Sequence, residues 1–393
     1  MSLDVNLTKE LQKKRSENLY RVRVVRSREQ NSYIQLGEHQ YLNFCSNDYL
    51  GLSNHPEIIA AAKEGLDEYG LGSGGSALIT GYTDIHRELE VALAEFTGRS
   101  SALLFSSGYA ANIGVLSALA KKNDHLFMDK LCHASLIDGA KLSGAKLRRY
   151  KHLDTKNLKE MLTLIPIAEI GKEKWVISES LFSMDGDLAP LNEISKLCEK
   201  DNTTMYVDDA HGFGIYGENG AGSLSAVNLT EEQAPVMVAT FGKALGVAGA
   251  FVAGSEALIE SLIQNARSYI YTTALPPAQA AAILKSLRLV RTENWRREKL
   301  FNLIGEFRHK ASKRGIPLYE NALGPIQPIF VGDSEKAMNI SQSLADKGIK
   351  VSAIRSPTVA KNSARLRVTF SASHEESQVD SLIEGLSEVL IND

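Results

Sequence analysis

Hydrophobic and polar positions follow two different periods along this chain, and the switches between them mark its elements. The opening, MSLDVNLTKELQKKRSENLYRVRVV, is charged throughout and predicts a polar helix, followed by a short extended piece at YIQLGEHQYLNF. From about residue 55, helical stretches such as PEIIAAAKEGLDEY and DIHRELEVALAEFTG give way to short apolar runs: SALLFSS, DHLFMD, KWVISES, TMYVDD, VMVATF and AFVAG. Runs rich in Val, Ile, Phe and Leu between helices predict an α/β domain built on a large, mostly parallel sheet. Near residue 290 the pattern changes. Leu300, Leu303, Ile304 and Phe307 make one helical stripe, and IQPIFVGD, EKAMNISQSLADKG, IKVSAI and ARLRVTF follow. In the last of these, Leu366, Val368 and Phe370 alternate with Arg365, Arg367 and Thr369, which predicts one buried and one polar face. A stripe of Val379, Leu382, Ile383, Leu386 and Leu390 closes the chain. These shifts predict an N-terminal helix and arm (1–50), a large sheet domain (51–289) and a smaller α+β domain (290–393).

Composition narrows the class. The 393 residues are 44% hydrophobic and 23% charged, an ordinary globular balance. A net charge of −3 argues against general affinity for nucleic acid or an anionic membrane surface. The three cysteines, Cys45, Cys132 and Cys198, are odd in number and far apart, so neither a disulfide framework nor a metal site is expected and a reducing compartment fits. The opening residues lack the apolar core of a signal peptide, and no run has the length of a membrane span. The expectation is a soluble, cytoplasmic protein.

In parallel sheets, ligands gather beyond the carboxyl ends of the strands. There MYVDDAHGFGIYG offers Gly212, Gly214 and Gly217 in the G-x-G-x-x-G spacing of a dinucleotide loop. Asp208 and Asp209 would repel a pyrophosphate, and ENGAGSLSA after the glycines is a loop rather than a helix start. Another chemistry suits the stretch better. An aspartate ending a buried strand, with His211 close behind, keeps a pyridine nitrogen protonated, because a nearby carboxylate favours the charged ring. Such a ring is an electron sink, and its cofactor form, pyridoxal phosphate, also needs a lysine. A lone lysine usually just reaches for water. Lys243, in TFGKALGVAGA just after the next strand, has no carboxylate in its own run and instead follows Asp208 by one strand. Ser106, Ser107 and Gly108 open a helix after SALLF, where backbone N–H groups and the helix dipole can hold a phosphate. Thr240 can add a hydroxyl, Ser183 can reach the ring, and His133 can either stack on it or cap a helix.

At this point CSNDYLGL, GSGGSALITG, FSSGYAAN, CHASLIDGA, FSMDGD, VDDAHGFGIYG and TFGKALGVAGA stand in the order found in the α-oxoamine synthases. The chain resembles that family from about residue 10 to its end. The resemblance implies a pyridoxal phosphate enzyme of fold type I that joins an amino acid to an acyl thioester with loss of carbon dioxide. TFGKALGVAGA, IQPIFVGD and AIRSPTV look most like its biotin-pathway branch, which condenses L-alanine with a pimeloyl thioester, on coenzyme A or acyl carrier protein. By the same resemblance Lys243 bonds the cofactor and serves as base, and Asp208 meets the pyridine nitrogen. His211 and Ser183 lie near the ring's phenolic oxygen, and His133 stacks on the ring face; the developing oxyanion also needs a donor, for which His133 is the candidate. Gly108, Tyr109 and Thr240 help to hold the cofactor. Arg355 takes the amino acid carboxylate, Arg21 meets the acyl substrate, and Asn47 and Thr358 lie on the substrate side. A homodimer with its site at the interface is implied, with Thr272 and Thr273 reaching the partner's phosphate. The chain departs from the usual family pattern at Cys132 and Ser180. Sister oxoamine synthases, a nicotinamide dehydrogenase and a binding protein without turnover remain as competing readings.

Overall fold

All six short apolar runs form strands of one sheet in the computed structural model, which describes residues 2–17, 19–165 and 172–391. They are β1 (Ser101–Phe105), β2 (His125–Asp129), β4 (Lys174–Glu179), β5 (Thr204–Asp208), β6 (Val236–Thr240) and β7 (Ala250–Gly254). A seventh strand, β3 (Lys146–Tyr150), completes the sheet in the order β1-β7-β6-β5-β4-β2-β3. Only β7 runs against its neighbours; β2 to β6 are parallel, so their carboxyl ends share one edge.

Alternate side chains explain why these runs are strands with no polar face. Leu103, Leu126, Ile177, Tyr206, Val238 and Val252 pack beneath helices Gly108–Leu119, Ala134–Ser143 and Glu256–Asn265. Their strand neighbours point to the opposite face, where Phe251 meets Phe213 edge-on at 4.9 Å and stacks on Phe241 at 5.5 Å. Full burial of each such side chain stabilises the fold by about 1.5–3 kcal/mol. Strand β3, KLRRY, was not foreseen. It lies at the sheet edge with Lys146 and Arg149 exposed, where charge discourages pairing with another chain and also hides the strand from a search for apolar runs.

The chain groups into two units, Asn47–Phe301 around this sheet, and Met1–Ser46 with Asn302–Asp393. In the second unit, strands Tyr33–Leu36 and His39–Asn43 form an antiparallel hairpin, and Ile349–Lys350 pairs in parallel with the latter. A separate sheet places Ala364–Thr369 between Ile326–Gly332 and Ser352–Ile354. The polar face expected on that middle strand is only partly open to water: Arg365 is half-buried, while Arg367 is 7% and Thr369 1% exposed. Thr369 donates from both its N–H and its hydroxyl to the carbonyl of Phe44, at 2.9 and 3.0 Å, which satisfies it inside the unit. No helix among the described residues is long and apolar enough to cross a membrane.

Candidate active site

The site follows from which strands are neighbours. Strand β5 ends at Asp208, in register with Glu179 at the end of β4 and with Val238 of β6. Strand β6 runs on to Thr240, and the chain then turns tightly, with Val247 N–H donating to the Phe241 carbonyl and Gly246 N–H to that of Lys243. The turn sets Lys243, half-buried, beyond the edge where Asp208 and Glu179 stand.

Asp208 is 6% exposed and takes its hydrogen bonds from neutral donors. Ala210 N–H reaches Oδ1 at 3.0 Å, and Asn112 Nδ2 reaches Oδ2 at 2.7 Å. Asn112 also accepts from the Tyr206 hydroxyl at 2.6 Å and donates to Ser135 Oγ at 2.8 Å. The Ser135 hydroxyl, so supplied, lies 2.8 Å from His133 Nδ1, and the Ser135 N–H lies 3.3 Å from it. His133 therefore does cap the helix that follows it. With Nδ1 accepting, the proton of the neutral ring sits on Nε2, which becomes a hydrogen-bond donor. Partial burial lowers the pKa of His133 below its ordinary value, Lys243 pushes the same way, and Asp208 opposes both. The ring is thus held neutral.

Glu179 was not singled out from sequence, although it shows the signal that picked out Asp208, an acid ending a buried strand. It is 4% exposed, and its Oε1 accepts from His133 N–H at 2.6 Å. Burial raises its pKa, and the charge of Asp208 beside it adds to the effect. Tyr49 was missed as well. Fully buried, it hydrogen-bonds His211 Nδ1 at 2.7 Å and donates to Asn47 Oδ1 at 3.2 Å, joining two residues that sequence had named separately. Asn112 and Tyr49 carry no local signature, because their partners lie 96 and 162 residues away.

The helix start after β1 has the parts expected of it. Helix Gly108–Leu119 starts just past β1, and its cap Ser107 accepts from Ala110 N–H. A side-chain carbon on Gly108 would sit 3.9 Å from Thr240 Cβ, so Thr240 flanks the helix start. Tyr109 lies edge-on to His133 at 6.2 Å and donates to Asp138. Ser183, half-buried, follows β4 in a turn. Thr272 and Thr273 line a cavity with Ser106 of their own chain. An anionic acceptor with neutral partners, an amine one strand away and a helix start with a flanking hydroxyl fit a phosphorylated pyridine. Arg21, Arg355 and Thr358 belong to the second unit. There Arg355 Nη2 reaches the Tyr20 carbonyl at 3.4 Å, which brings it beside the segment bearing Arg21, while Thr358 is exposed with its N–H on the Arg355 carbonyl.

The glycines after Asp208 have a packing role. A side-chain carbon on Gly212 would come within 2.0 Å of Ser223 Oγ and 2.2 Å of Asp209 Oδ1. Asp209 is fully buried, accepts from Ser180 Oγ and from Ser223 N–H, and is pushed up to about 6 by burial. Gly217 has a φ of +79° and ends at a short 3₁₀ turn, Glu218–Gly220, rather than a helix that could hold a pyrophosphate. Gly212→Ala is expected to cost about 1–3 kcal/mol by overpacking, read as a lower urea midpoint. An unchanged midpoint would count against this packing role.

The sequence profile described as aminotransferase class I and II matches residues 39–386. A protein named 8-amino-7-oxononanoate synthase from Nitrosococcus oceani is 50% identical over 381 residues, 97% of this chain and 100% of the relative. The crystal structure of 8-amino-7-oxononanoate synthase from Francisella tularensis superposes with a TM-score of 0.78 at 34% identity, over 90% of this chain and 98% of that one. Serine palmitoyltransferase from S. paucimobilis with bound PLP–myriocin aldimine superposes with a TM-score of 0.91 at 29% identity, over 98% and 97%. By its profile match over residues 39–386, the chain belongs to the aminotransferase class I and II family, and the relative half-identical to it along its full length carries the name 8-amino-7-oxononanoate synthase.

Proposed function

We propose that the chain is a pyridoxal phosphate-dependent acyltransferase of biotin synthesis. It condenses L-alanine with a pimeloyl thioester to give 8-amino-7-oxononanoate, carbon dioxide and the free thiol carrier. The observation that carries this reading is the placement of Asp208 at the end of β5 and of Lys243 just past the end of the adjacent β6, in a chain half-identical to relatives of that name. The bound cofactor supplies an electron-withdrawing ring that spreads the charge left when a bond to Cα of the amino acid breaks.

The chain's own residues do the rest. Asp208, steadied by Asn112 and Ala210, offers the pyridine nitrogen an anionic acceptor and keeps it protonated. The start of helix Gly108–Leu119, with Tyr109 and Thr240, receives the phosphate. His211 and Ser183 serve the ring's oxygen edge. Lys243 would hold the cofactor, and its amine is the base that would take the Cα proton of alanine. His133 lies on the ring face, and its Nε2–H donates to the thioester carbonyl oxygen as negative charge gathers there. Arg355 grips the alanine carboxylate with its planar fork, Arg21 meets the acyl group, and Asn47 and Thr358 border the substrates. Exposed arginines at positions 21 and 23 suit the phosphates of coenzyme A or an acidic acyl carrier protein. We further propose a homodimer in which Thr272 and Thr273 of one subunit complete the phosphate site of the other. Three free cysteines suit a reducing, cytoplasmic setting.

Mass spectrometry of products from alanine, glycine or serine with pimeloyl, acetyl or palmitoyl thioesters tests the reading. Alanine with the pimeloyl thioester should turn over fastest. Faster turnover of glycine with acetyl-CoA, or of serine with palmitoyl-CoA, would reassign the chain to a sister activity.

A further inference from the structure

Outside the residues named so far, one buried cluster ties together both turns that serve the ring. His152 is half-buried, and its two ring nitrogens each meet a buried carboxylate: Nδ1 lies 2.9 Å from Asp129 Oδ1, and Nε2 lies 3.0 Å from Asp187 Oδ2. An ionised carboxylate only accepts, so both nitrogens must donate, and a ring that donates twice is an imidazolium. The ring also stands edge-on to Phe182 at 4.5 Å. Burial alone would hold its pKa down, but the hydrogen bonds to Asp129 and Asp187, with their charges, outweigh burial and raise it to about 9.

Each carboxylate organises a different turn. Asp129 ends β2, and its Oδ1 also accepts from Leu131 N–H at 2.8 Å while its carbonyl accepts from Cys132 N–H at 3.2 Å, which shapes the turn leading into His133. Its Oδ2 accepts from Leu153 N–H at 2.9 Å. Leu153 has a φ of +56°, a strained conformation for a leucine that persists only where its surroundings enforce it. Asp187 closes the turn containing Ser183: its carbonyl accepts from Phe182 N–H at 3.0 Å, and Gly186 N–H returns to the Phe182 carbonyl at 2.9 Å. One cation therefore links the turn that presents His133 to the turn that presents Ser183.

We propose that His152 is a positioning residue for the reaction, acting as a half-buried imidazolium that clamps Asp129 to Asp187 and thereby fixes His133 and Ser183 against the cofactor ring. This rests on the roles given above to His133 and Ser183. Asp185 also lies in this cluster, with ligand atoms of His152, Asp185 and Asp187 all within 4.8 Å of one another, a spacing a metal ion would accept. A ring with both nitrogens protonated has no lone pair for a metal, so the two states exclude each other.

Nitrogen-15 NMR of the histidine-labelled chain at pH 7.5, with and without cofactor, tests the clamp. The signal missing from His152→Gln identifies the residue. Two protonated ring nitrogens are expected, and one unprotonated or metal-shifted nitrogen would overturn the proposal. This spectrum involves no substrate, so an error in the assigned acyl group would leave it readable. A double-mutant cycle then tests the action on the site, reading exchange of the L-alanine Cα proton with solvent deuterium. His152→Gln should slow exchange by about 10–100-fold, but by no more than about 2-fold in a background carrying both His133→Ala and Ser183→Ala, because coupled residues are not additive. Asp187→Asn, which keeps an acceptor for the ring, provides a milder second variant and should show the same coupling. Losses that simply multiply would make His152 a structural residue and sink the proposal.

Discussion

Lys243→Ala is expected to lose the cofactor's covalent attachment and at least about 10⁴-fold in turnover, since on the proposed assignment both the anchoring amine and the Cα base disappear together. Borohydride reduction of the cofactor-loaded chain should fix the cofactor on the peptide containing Lys243, and no adduct should form in the variant. Non-covalent affinity should survive in part, because the helix start at Gly108, Thr240 and Asp208 remain in place. An adduct on another lysine, or ordinary turnover by the variant, would remove the basis for every role assigned around the ring.

The second large effect belongs to Asp208. At about 4 Å and an effective dielectric near 20, a pair of opposite unit charges is worth about 4 kcal/mol, so Asp208→Ala should cost about 10³-fold in kcat. Asp208→Glu should recover part of that loss. Visible spectra and kcat with L-alanine, measured at saturating cofactor, separate this effect from weaker binding. A change below about 10-fold would mean that the ring nitrogen finds its proton elsewhere. Asp208 also acts on Glu179, whose protonation its charge favours, so the variant should ionise Glu179 more readily.

Much of this was legible in the residues themselves. The runs SALLF, HLFMD, KWVISE, TMYVD, VMVAT and AFVAG became strands because a buried parallel sheet needs uninterrupted apolar residues, and few other structures tolerate them. The edge strand KLRRY was illegible for the converse reason, since water accepts its charges and no apolar run is needed. In ARLRVT the alternation of apolar and polar residues was real, but it did not reveal that most of the polar side would be covered, which depends on the Phe44 carbonyl 325 residues away. Asp208 stood out because it ends a buried strand, and Lys243 because it follows the next strand in a run that holds no carboxylate.

Chain order alone determined that Asp208 and Lys243 lie near successive strand ends, that a helix starts after β1, and that these candidate residues share one edge of the sheet. Local pattern suffices there, since strand periodicity and turn residues act over a few positions. The tertiary structure alone decided that Asn112 supports Asp208, that Tyr49 joins Asn47 to His211, and that His152 spans two turns. Those are contacts between single polar side chains brought together by folding, and a hydrogen bond between distant residues leaves no period or spacing in the sequence to read.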